Sequence, residues 1–395
     1  MENFVFHVPT KIIFGRNDLT SLGGEVRKFG GTKVLLVYGK SSIKKMGLYD
    51  KVVEALNQAG LPFEELSGVQ ANPRISKARE GVSLCHEKGC DFLLAVGGGS
   101  TIDCAKLIAA AYYVDEDPWE IVLKKVKVEK ALPIGTILTL SATGSEMDKA
   151  SVITNEETME KLGWAAKAVL PKFSYLNPEN TFTVSARQTA AGTADIMSHI
   201  MENYFSVDDS AFVQDSISEG LLRTCLKYGK LAVNEPENYE ARANLMWAGS
   251  WAINGLVEVG KTQQWSVHPI EHELSAQYDI THGVGLAIIT PRWLKYVLNH
   301  QTVMKISRFG QVVFGIDSKD PFETSVRAID LLYRYFEREL HLPMTLKELG
   351  IDDSLLEKMA EDTISHHHGP IQGFQPLSAY DVMEILRACV DEGVD

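Results

Sequence analysis

The sequence predicts an α/β half followed by an all-helical half. Up to about Pro178, short runs rich in Val, Leu and Ile alternate with segments of helical spacing, as expected for buried parallel strands that each lead into a helix. After Pro178 such runs are scarce and helical spacing dominates. A length of 395 residues also exceeds that of a usual single domain. Two domains are therefore predicted, at 1–183 and 184–395, with Ser185 capping the helix that follows the boundary.

The predicted elements follow this division in order. In the first half they are strands at 34–37, 92–96 and 134–138, and helices at 42–59 and 100–113. In the second half they are helices at 185–204, 211–230, 239–254, 267–278 and 325–339. The run His366-His367-His368 lies between Ser365 and Gly369-Pro370, which predicts a loop. Three adjacent histidines cannot all face one ion in regular structure, so this run is not taken as a metal site.

The charge balance excludes some classes of partner. The 39 Lys and Arg residues against 52 Asp and Glu give a formal net charge of −13, which opposes binding to nucleic acid or to an anionic membrane surface. No apolar run approaches the ~20 residues of a membrane helix. Glu2 stands where a signal peptide would be basic, so a cytoplasmic protein is expected. The five cysteines include no Cys-x-x-Cys pair and are predicted to be reduced thiols.

A glycine-rich turn follows the second predicted strand. The run 92–96 leads directly into Gly97-Gly98-Gly99-Ser100, and helical spacing begins at once. Glycines let a ligand approach the backbone and permit positive φ, and a helix N-terminus offers unpaired amides to a phosphate. The turn is therefore a candidate pyrophosphate site, although a merely tight turn remains an alternative and neither standard phosphate fingerprint is present. Asp103 could accept hydrogen bonds from a cofactor amide or ribose, or only stabilise the helix dipole.

Five acidic and imidazole side chains in the second half suggest a metal site. Asp195 and His199 are four residues apart on a predicted helix and share one face; His268 and His272 repeat that spacing, and His282 follows. A single histidine of this kind is more often structural, but two such pairs favour one mixed nitrogen and oxygen site. No cysteine lies among them, so a borderline divalent ion such as Fe²⁺ or Zn²⁺ is expected, rather than a thiolate zinc.

Taken together, these motifs resemble those of the iron-containing (group III) alcohol dehydrogenase family, in its butanol dehydrogenase and broad aldehyde reductase branch. The similarity extends over nearly the whole chain. The residues that carry it are Thr10–Gly15, Asn72-Pro73, Gly97–Ser100 with Asp103, Thr139, Ser141–Glu146, Asp195 with His199, and His268 with His272 and His282. The resemblance implies an N-terminal dinucleotide-binding α/β domain with a Rossmann-like parallel sheet, an all-α C-terminal domain, and thus a dehydroquinate synthase-like architecture. It also implies a cleft that holds nicotinamide and metal, and a homodimer.

The resemblance assigns roles residue by residue. It makes Asp195, His199, His268 and His282 the metal ligands and leaves His272 as a possible catalytic proton relay. It places the cofactor on a larger set of residues: Asn72, Gly97, Gly98, Gly99, Ser100, Asp103, Thr139, Thr143 and Lys161.

The choice of nicotinamide cofactor is predicted from the residues after the first long strand. Family members that prefer NAD have an Asp near this point, and the segment Tyr38-Gly39-Lys40-Ser41-Ser42 has none. Lys40 offers a positive charge and Ser42 a hydrogen-bond donor to a 2′-phosphate beside Gly39. NADP(H) is therefore expected over NAD(H). Related NADP users often have glycine where Lys40 stands, and a merely solvated lysine is the alternative.

The expected activity is interconversion of primary alcohols, such as butanol, and aldehydes, with a small alcohol or aldehyde as substrate. The alternatives are a polyol dehydrogenase of the glycerol type, a dehydroquinate-synthase-like lyase, and a non-catalytic nucleotide-binding protein of the same fold. The lyase would need a basic cluster around an acidic phosphorylated substrate, and only Lys261 and Arg292 are apparent. Trp164, Trp251 and Trp265 could line an apolar substrate cleft, although core packing is the commoner role of such residues.

Overall fold

The computed structural model describes residues 1–207, 210–262, 265–391 and 393–394. It contains two compact units, each assembled from separate stretches of the chain. The sheet unit comprises His7–Val184 and Glu237–Ser250, and the helical unit comprises Met1–Phe6, Ser185–Pro236 and Trp251–Asp395. These units are defined by compactness alone. The predicted domain boundary between residues 183 and 184 therefore stays a prediction.

The sheet unit is built on one parallel sheet of six strands and one hairpin. The strands are β1 (Lys11–Phe14), β2 (Val34–Tyr38), β3 (Phe63–Leu66), β4 (Phe92–Gly97), β5 (Ile134–Leu138), β6 (Ala150–Asn155), β7 (Glu160–Ala165) and β8 (Phe173–Leu176). The sheet order is β1-β8-β5-β4-β2-β3, and β6 and β7 pair antiparallel. All residues of β2, β4 and β5 are buried, which explains why these strands read as unbroken apolar runs.

Helices cover both faces of this sheet. They are α1 (Leu22–Lys28), α2 (Ser42–Lys45), α3 (Leu48–Gln58), α4 (Ile75–Lys88), α5 (Gly99–Ala111), α6 (Pro118–Val122) and, up to Ser250, α9 (Tyr239–Ile253), with 3₁₀ turns at Ser145–Met147, Lys167–Val169 and Pro178–Thr181. One apolar core joins α4, α5 and α6 to Leu35, Leu93 and Ile134. A second joins α1 and α3 to Leu36 and Leu94. Neighbouring residues of one strand thus enter opposite cores, the arrangement of a doubly wound sheet.

The helical unit contains no strand within its described residues. Its helices are α7 (Ala186–Tyr204), α8 (Phe212–Asn234), α10 (Val267–Tyr278), α11 (His282–Tyr296), α12 (Val303–Phe314), α13 (Pro321–Arg334), α14 (Leu356–His366) and α15 (Ala379–Asp391), with a π turn at Tyr335–Glu339 and a 3₁₀ turn at Lys347–Leu349. Ser185 caps α7 as predicted, because its hydroxyl accepts a hydrogen bond from the amide of Gln188 at 3.2 Å. The predicted fold class, an α/β half followed by a helical half, is confirmed.

Three local predictions need correction. The helix expected over 42–59 is broken at Gly47, whose φ of 73° ends α2 before α3 begins. The histidine run is not wholly a loop, since His366 is the last residue of α14. The glycine-rich turn does not use positive φ: Gly98 has a φ of −86°, and Gly97 and Gly99 also lie outside that region.

Two further expectations about the chain can be compared with the structure. All five cysteines are buried and free, in agreement with the prediction of reduced thiols. Among the described residues, no helix combines the length and the apolar character needed to cross a bilayer.

Candidate functional site

The predicted cofactor residues of the sheet unit meet where parallel strands end. Because β2 and β4 are neighbours, with Tyr38 opposite Val96, the segment Gly39–Ser42 and the turn Gly97–Ser100 leave the same edge of the sheet side by side. The strand order reverses here: β3 lies on one side of β2, and the next strand in the chain, β4, lies on the opposite side of β2. Thr139 joins them, because its amide donates to the carbonyl of Gly97 at 3.0 Å.

The glycines of the turn are required by close packing. A Cβ on Gly97 would lie 2.4 Å from the Oγ1 of Thr101, and one on Gly99 would lie 2.1 Å from the Oγ1 of Thr143. The helix α5 begins immediately, and no side chain of the described residues caps it. The turn therefore presents bare backbone and a helix N-terminus, which fits a pyrophosphate.

Two other predicted cofactor residues are linked through the β6–β7 hairpin. Asn72 precedes Pro73, whose carbonyl accepts a hydrogen bond of 2.8 Å from the amide of Thr154. Lys161 lies opposite Thr154 across the hairpin and is buried. The structure thus places Asn72, in the loop between β3 and α4, near Lys161.

Asp103 is engaged within the protein. Its two carboxylate oxygens accept hydrogen bonds from the hydroxyl of Ser145 at 2.5 Å and from the amide of Val152 at 2.9 Å. Burial raises the pKa of Asp103 to about 6. Asp103 therefore fastens α5 to the segment 145–152, and its contact with the cofactor stays a prediction.

A buried lysine that no sequence motif indicated completes this attachment. Lys106 is fully buried and donates to Ser145 Oγ at 2.8 Å, to Asp148 Oδ1 at 2.5 Å and to the carbonyl of Ala150 at 2.7 Å. Its position one turn after Asp103 on α5 was the only available sign of such a role. The turn Gly97–Ser100 therefore begins a helix that a charged network holds in place.

The candidate metal site lies in the helical unit, where three helices converge. Asp195 and His199 project from α7, His268 is near the start of α10, and His282 begins α11. Helices α7 and α11 approach closely at Gly283, where a Cβ would lie 2.0 Å from the carbonyl oxygen of Ala191. This close approach places His282 beside Asp195.

The donor atoms of the site form a compact group. Asp195, His268 and His282 each offer one ligand atom, and these atoms lie within 4.8 Å of one another. His282 Nε2 is 3.8 Å and His199 Nε2 is 3.6 Å from Asp195 Oδ1. The His199 ring stacks on His268, with centroids 4.8 Å apart and an interplanar angle of 16°. The structure thus brings three of the four predicted ligands into one compact group, and His199 lies beside it.

The state of the buried imidazoles fits a metal ion. Burial, together with the charges of His268 and His282, holds the pKa of His199 well below its usual range, so this ring is neutral and able to ligate. His268 Nε2 is a buried nitrogen that has no hydrogen-bond partner among the described residues. Such nitrogens are costly to bury unless something binds them. A carboxylate with three imidazoles is a suitable donor set for Fe²⁺ or Zn²⁺.

Two glutamates that no sequence motif indicated contact these histidines. Glu202 Oε1 lies 3.1 Å from His268 Nδ1, and Glu271 Oε2 is hydrogen-bonded to His282 Nδ1. Glu202 is three residues after His199 on α7, and Glu271 is three after His268 on α10. This spacing places each glutamate on the same helix face as a predicted ligand. The spacing does not show which histidine the glutamate contacts.

His272 lies at the edge of this group. Its ring centroid is 6.4 Å from that of His268 and 5.7 Å from that of His282, and the residue is half-buried. Glu271, His272 and His282 form a second possible group of metal donors. The two groups share His282, and Glu271 already binds His282 Nδ1 and the Ser275 hydroxyl, so the group containing Asp195 is the better metal site.

The tryptophans considered for a substrate cleft differ in their surroundings. Trp164 is buried in the apolar core of the sheet unit, in agreement with the interpretation that it is a core residue. Trp265 packs against the metal site, with its ring 4.5 Å from His268 and 5.5 Å from His199. Trp251 is half-buried near the end of α9.

Comparison with known proteins gives matches along nearly the whole chain. Residues 9–178 match the family described as "Iron-containing alcohol dehydrogenase", and residues 189–390 match "Fe-containing alcohol dehydrogenase family, C-terminal". NADH-dependent butanol dehydrogenase A of Clostridium acetobutylicum is 51% identical over 388 residues, which are 98% of this chain and 99% of that protein. The NADPH-dependent aldehyde reductase YqhD of Escherichia coli is 37% identical, over 91% of this chain and 94% of that protein.

A solved structure agrees with these matches. The crystal structure of NADH-dependent butanol dehydrogenase A from Thermotoga maritima superimposes with a TM-score of 0.95 at 40% identity, and the alignment covers 99% of each chain.

Proposed function

Because the chain belongs to the iron-containing alcohol dehydrogenase family, we propose that it interconverts primary alcohols and aldehydes, using a nicotinamide cofactor and one divalent metal ion. The observation that carries this proposal is the group formed by Asp195, His268 and His282, whose donor atoms lie within 4.8 Å of one another. The names of the butanol dehydrogenase and aldehyde reductase relatives support a short aliphatic substrate.

The chain's own residues have distinct tasks in this reaction. Asp195, His199, His268 and His282 would hold the ion, and Gly97–Ser100 would hold the pyrophosphate of the cofactor at the start of α5. When bound, the metal ion supplies Lewis-acid polarisation of the substrate oxygen and the nicotinamide donates or accepts the hydride. The buried surroundings of Asp195 and His268 exclude water from the charged groups of the site, which strengthens their electrostatic effect.

His272 is proposed to move the hydroxyl proton. It lies next to the metal group and is half-buried, so its ring can exchange a proton with solvent. We expect His272→Ala to retain its metal and to lower kcat by about 10²-fold, the usual contribution of a general acid or base. Metal analysis and the pH dependence of kcat measure this. A pH–rate profile identical to that of the unaltered protein would contradict the relay.

The cofactor preferred is proposed to be NADPH. Lys40, Ser41 and Ser42 are exposed at the end of β2, where a 2′-phosphate would need positive charge and donors. The acid on the neighbouring strand, Glu65, is already bound by the hydroxyls of Tyr38 and Tyr49. The names of the relatives do not support this preference, since the butanol dehydrogenase, at 51% identity, is called NADH-dependent and the aldehyde reductase, at 37%, NADPH-dependent.

We expect Lys40→Ala to raise the KM for NADPH about tenfold and to leave that for NADH unchanged, because one charge-assisted hydrogen bond is lost. The measurement is the ratio of kcat/KM for the two cofactors with butanal. Lys45→Ala, which removes an exposed lysine of α2, is the matched control. If Lys40→Ala alters both cofactors equally, Lys40 does not recognise the phosphate.

The proposed activity is tested by following NADPH and NADH oxidation with butanal and a panel of other aldehydes, and NADP⁺ and NAD⁺ reduction with butanol and glycerol. Butanal reduction supports the proposal. Turnover of glycerol alone would favour a polyol dehydrogenase, and no turnover with metal and cofactor bound would favour a non-catalytic protein.

A further inference from the structure

Two of the predicted metal-binding histidines are each tied to a buried glutamate. Glu202 is 4% exposed and lies 3.1 Å from His268 Nδ1. The same carboxylate accepts the backbone amides of Ser266, Val267 and His268 at 2.8, 2.7 and 2.9 Å. Glu202 therefore fixes both the start of α10 and the ring of the first ligand on that helix.

Glu271 holds the ring of His282 in a similar way. It is fully buried, one oxygen binds His282 Nδ1, and the other accepts the hydroxyl of Ser275. The packing around it is close, since a Cβ on Gly285 would lie 2.7 Å from Glu271 Cγ. Its carboxylate therefore has little room to move away from the imidazole.

The opposite nitrogens of these two rings face the metal group. His268 Nε2 is buried and without a hydrogen-bond partner among the described residues, and His282 Nε2 is 3.8 Å from Asp195 Oδ1. A carboxylate that accepts from Nδ1–H fixes the tautomer, so Nε2 carries the lone pair. The negative charge of a carboxylate that accepts a hydrogen bond from Nδ1–H also makes Nε2 a stronger donor to a metal.

We propose that Glu202 and Glu271 are positioning residues, which hold His268 and His282 with Nε2 directed at one shared divalent cation. The inference rests on the metal site of the proposed function. It goes further by separating histidines whose Nδ1 contacts a glutamate, His268 and His282, from His199, whose Nδ1 has no hydrogen-bond partner among the described residues. His268 and His282 are oriented before the ion arrives, whereas His199 is held by stacking on His268.

The charge of the site supports this proposal. Asp195, Glu202 and Glu271 are each 4% exposed or less, so three carboxylates are buried around the histidine rings. Buried carboxylates require compensating charge, and a divalent cation ligated by the histidines supplies it. Glu202 and Glu271 thus contribute to cation binding without offering a ligand atom.

Glu271 is the better residue for a test, because Glu202 also caps α10. The probe is Co²⁺ alone, titrated into metal-free protein while its visible absorption is recorded. Glu271→Leu removes both the hydrogen bond and the charge, and Glu271→Gln keeps an acceptor but removes the charge. Glu273→Gln is the matched control, since Glu273 is also buried on α10 but binds His366 at 2.7 Å.

We expect Glu271→Leu to weaken Co²⁺ binding about 10- to 100-fold and to change the absorption of the bound ion, because His282 is no longer oriented. Glu271→Gln should fall between Leu and the unaltered protein, and Glu273→Gln should match the unaltered protein. If the Leu variant does not fold, the Gln variant decides. Co²⁺ affinity and absorption in Glu271→Gln equal to those of the unaltered protein would overturn the proposal, as would an equal loss in Glu273→Gln. Failure of the unaltered protein to bind Co²⁺ would instead contradict the metal site itself.

Discussion

Replacing His268 by alanine is expected to abolish bound metal and aldehyde turnover together. The group of Asp195, His268 and His282 would keep only two of its three closely spaced donors, and His199 would lose the ring on which it stacks. A metal Lewis acid contributes several kcal/mol to the reaction, so kcat should fall by about 10³-fold or more. The measurement is metal content per chain together with the initial rate of butanal reduction.

A matched control separates loss of a ligand from loss of any histidine. His300 is exposed and contacts Phe322, away from the predicted ligands, so His300→Ala should retain full metal content and rate. Full metal content in His268→Ala would show that His268 is not a ligand.

The second large effect is expected at Lys106, in the sheet unit. Lys106→Met leaves the Asp148 carboxylate buried without its cation, and burial already raises the pKa of Asp148. Removing one partner of a buried ion pair costs about 3–5 kcal/mol, so the free energy of unfolding should fall by about that amount. Denaturant unfolding with a fixed metal and cofactor concentration measures the change.

Two further variants locate the cause of this loss. Lys127→Met removes an ion pair with Glu129 that is exposed on both sides, and it should change the unfolding free energy by less than about 1 kcal/mol. The double variant Lys106→Met, Asp148→Leu removes both buried charges and should recover part of the loss. A loss below about 1 kcal/mol in Lys106→Met would show that the buried pair does not hold α5 in place.

The parts of the fold that could be predicted are those specified by local pattern. Strands β2, β4 and β5 are buried along their whole length and therefore appear as apolar runs. In contrast, β3 has the sequence Phe-Glu-Glu-Leu and lies at the edge of the sheet, so its pairing with β2 left little signal. The hairpin β6–β7 was missed for a similar reason, because polar residues such as Thr154 and Lys161 are buried within it.

The candidate site shows the same limit. Spacing on a single helix predicted the pairs Asp195 with His199 and His268 with His272, and the family resemblance selected the ligands among them. Neither could reveal that Glu202 on α7 meets His268 on α10, because that contact depends on how two helices pack. The same holds for Asp103, because its place after the glycine turn does not show that its two oxygens accept hydrogen bonds from Ser145 and Val152.

The most direct measurement is metal content and butanal reduction on the same anaerobically purified protein, before chelation, after chelation and after return of Fe²⁺ or Zn²⁺. We predict about one divalent ion per chain, loss of turnover in proportion to the ion removed, and recovery when either ion is restored. Undiminished butanal reduction by protein that holds no metal would contradict the account.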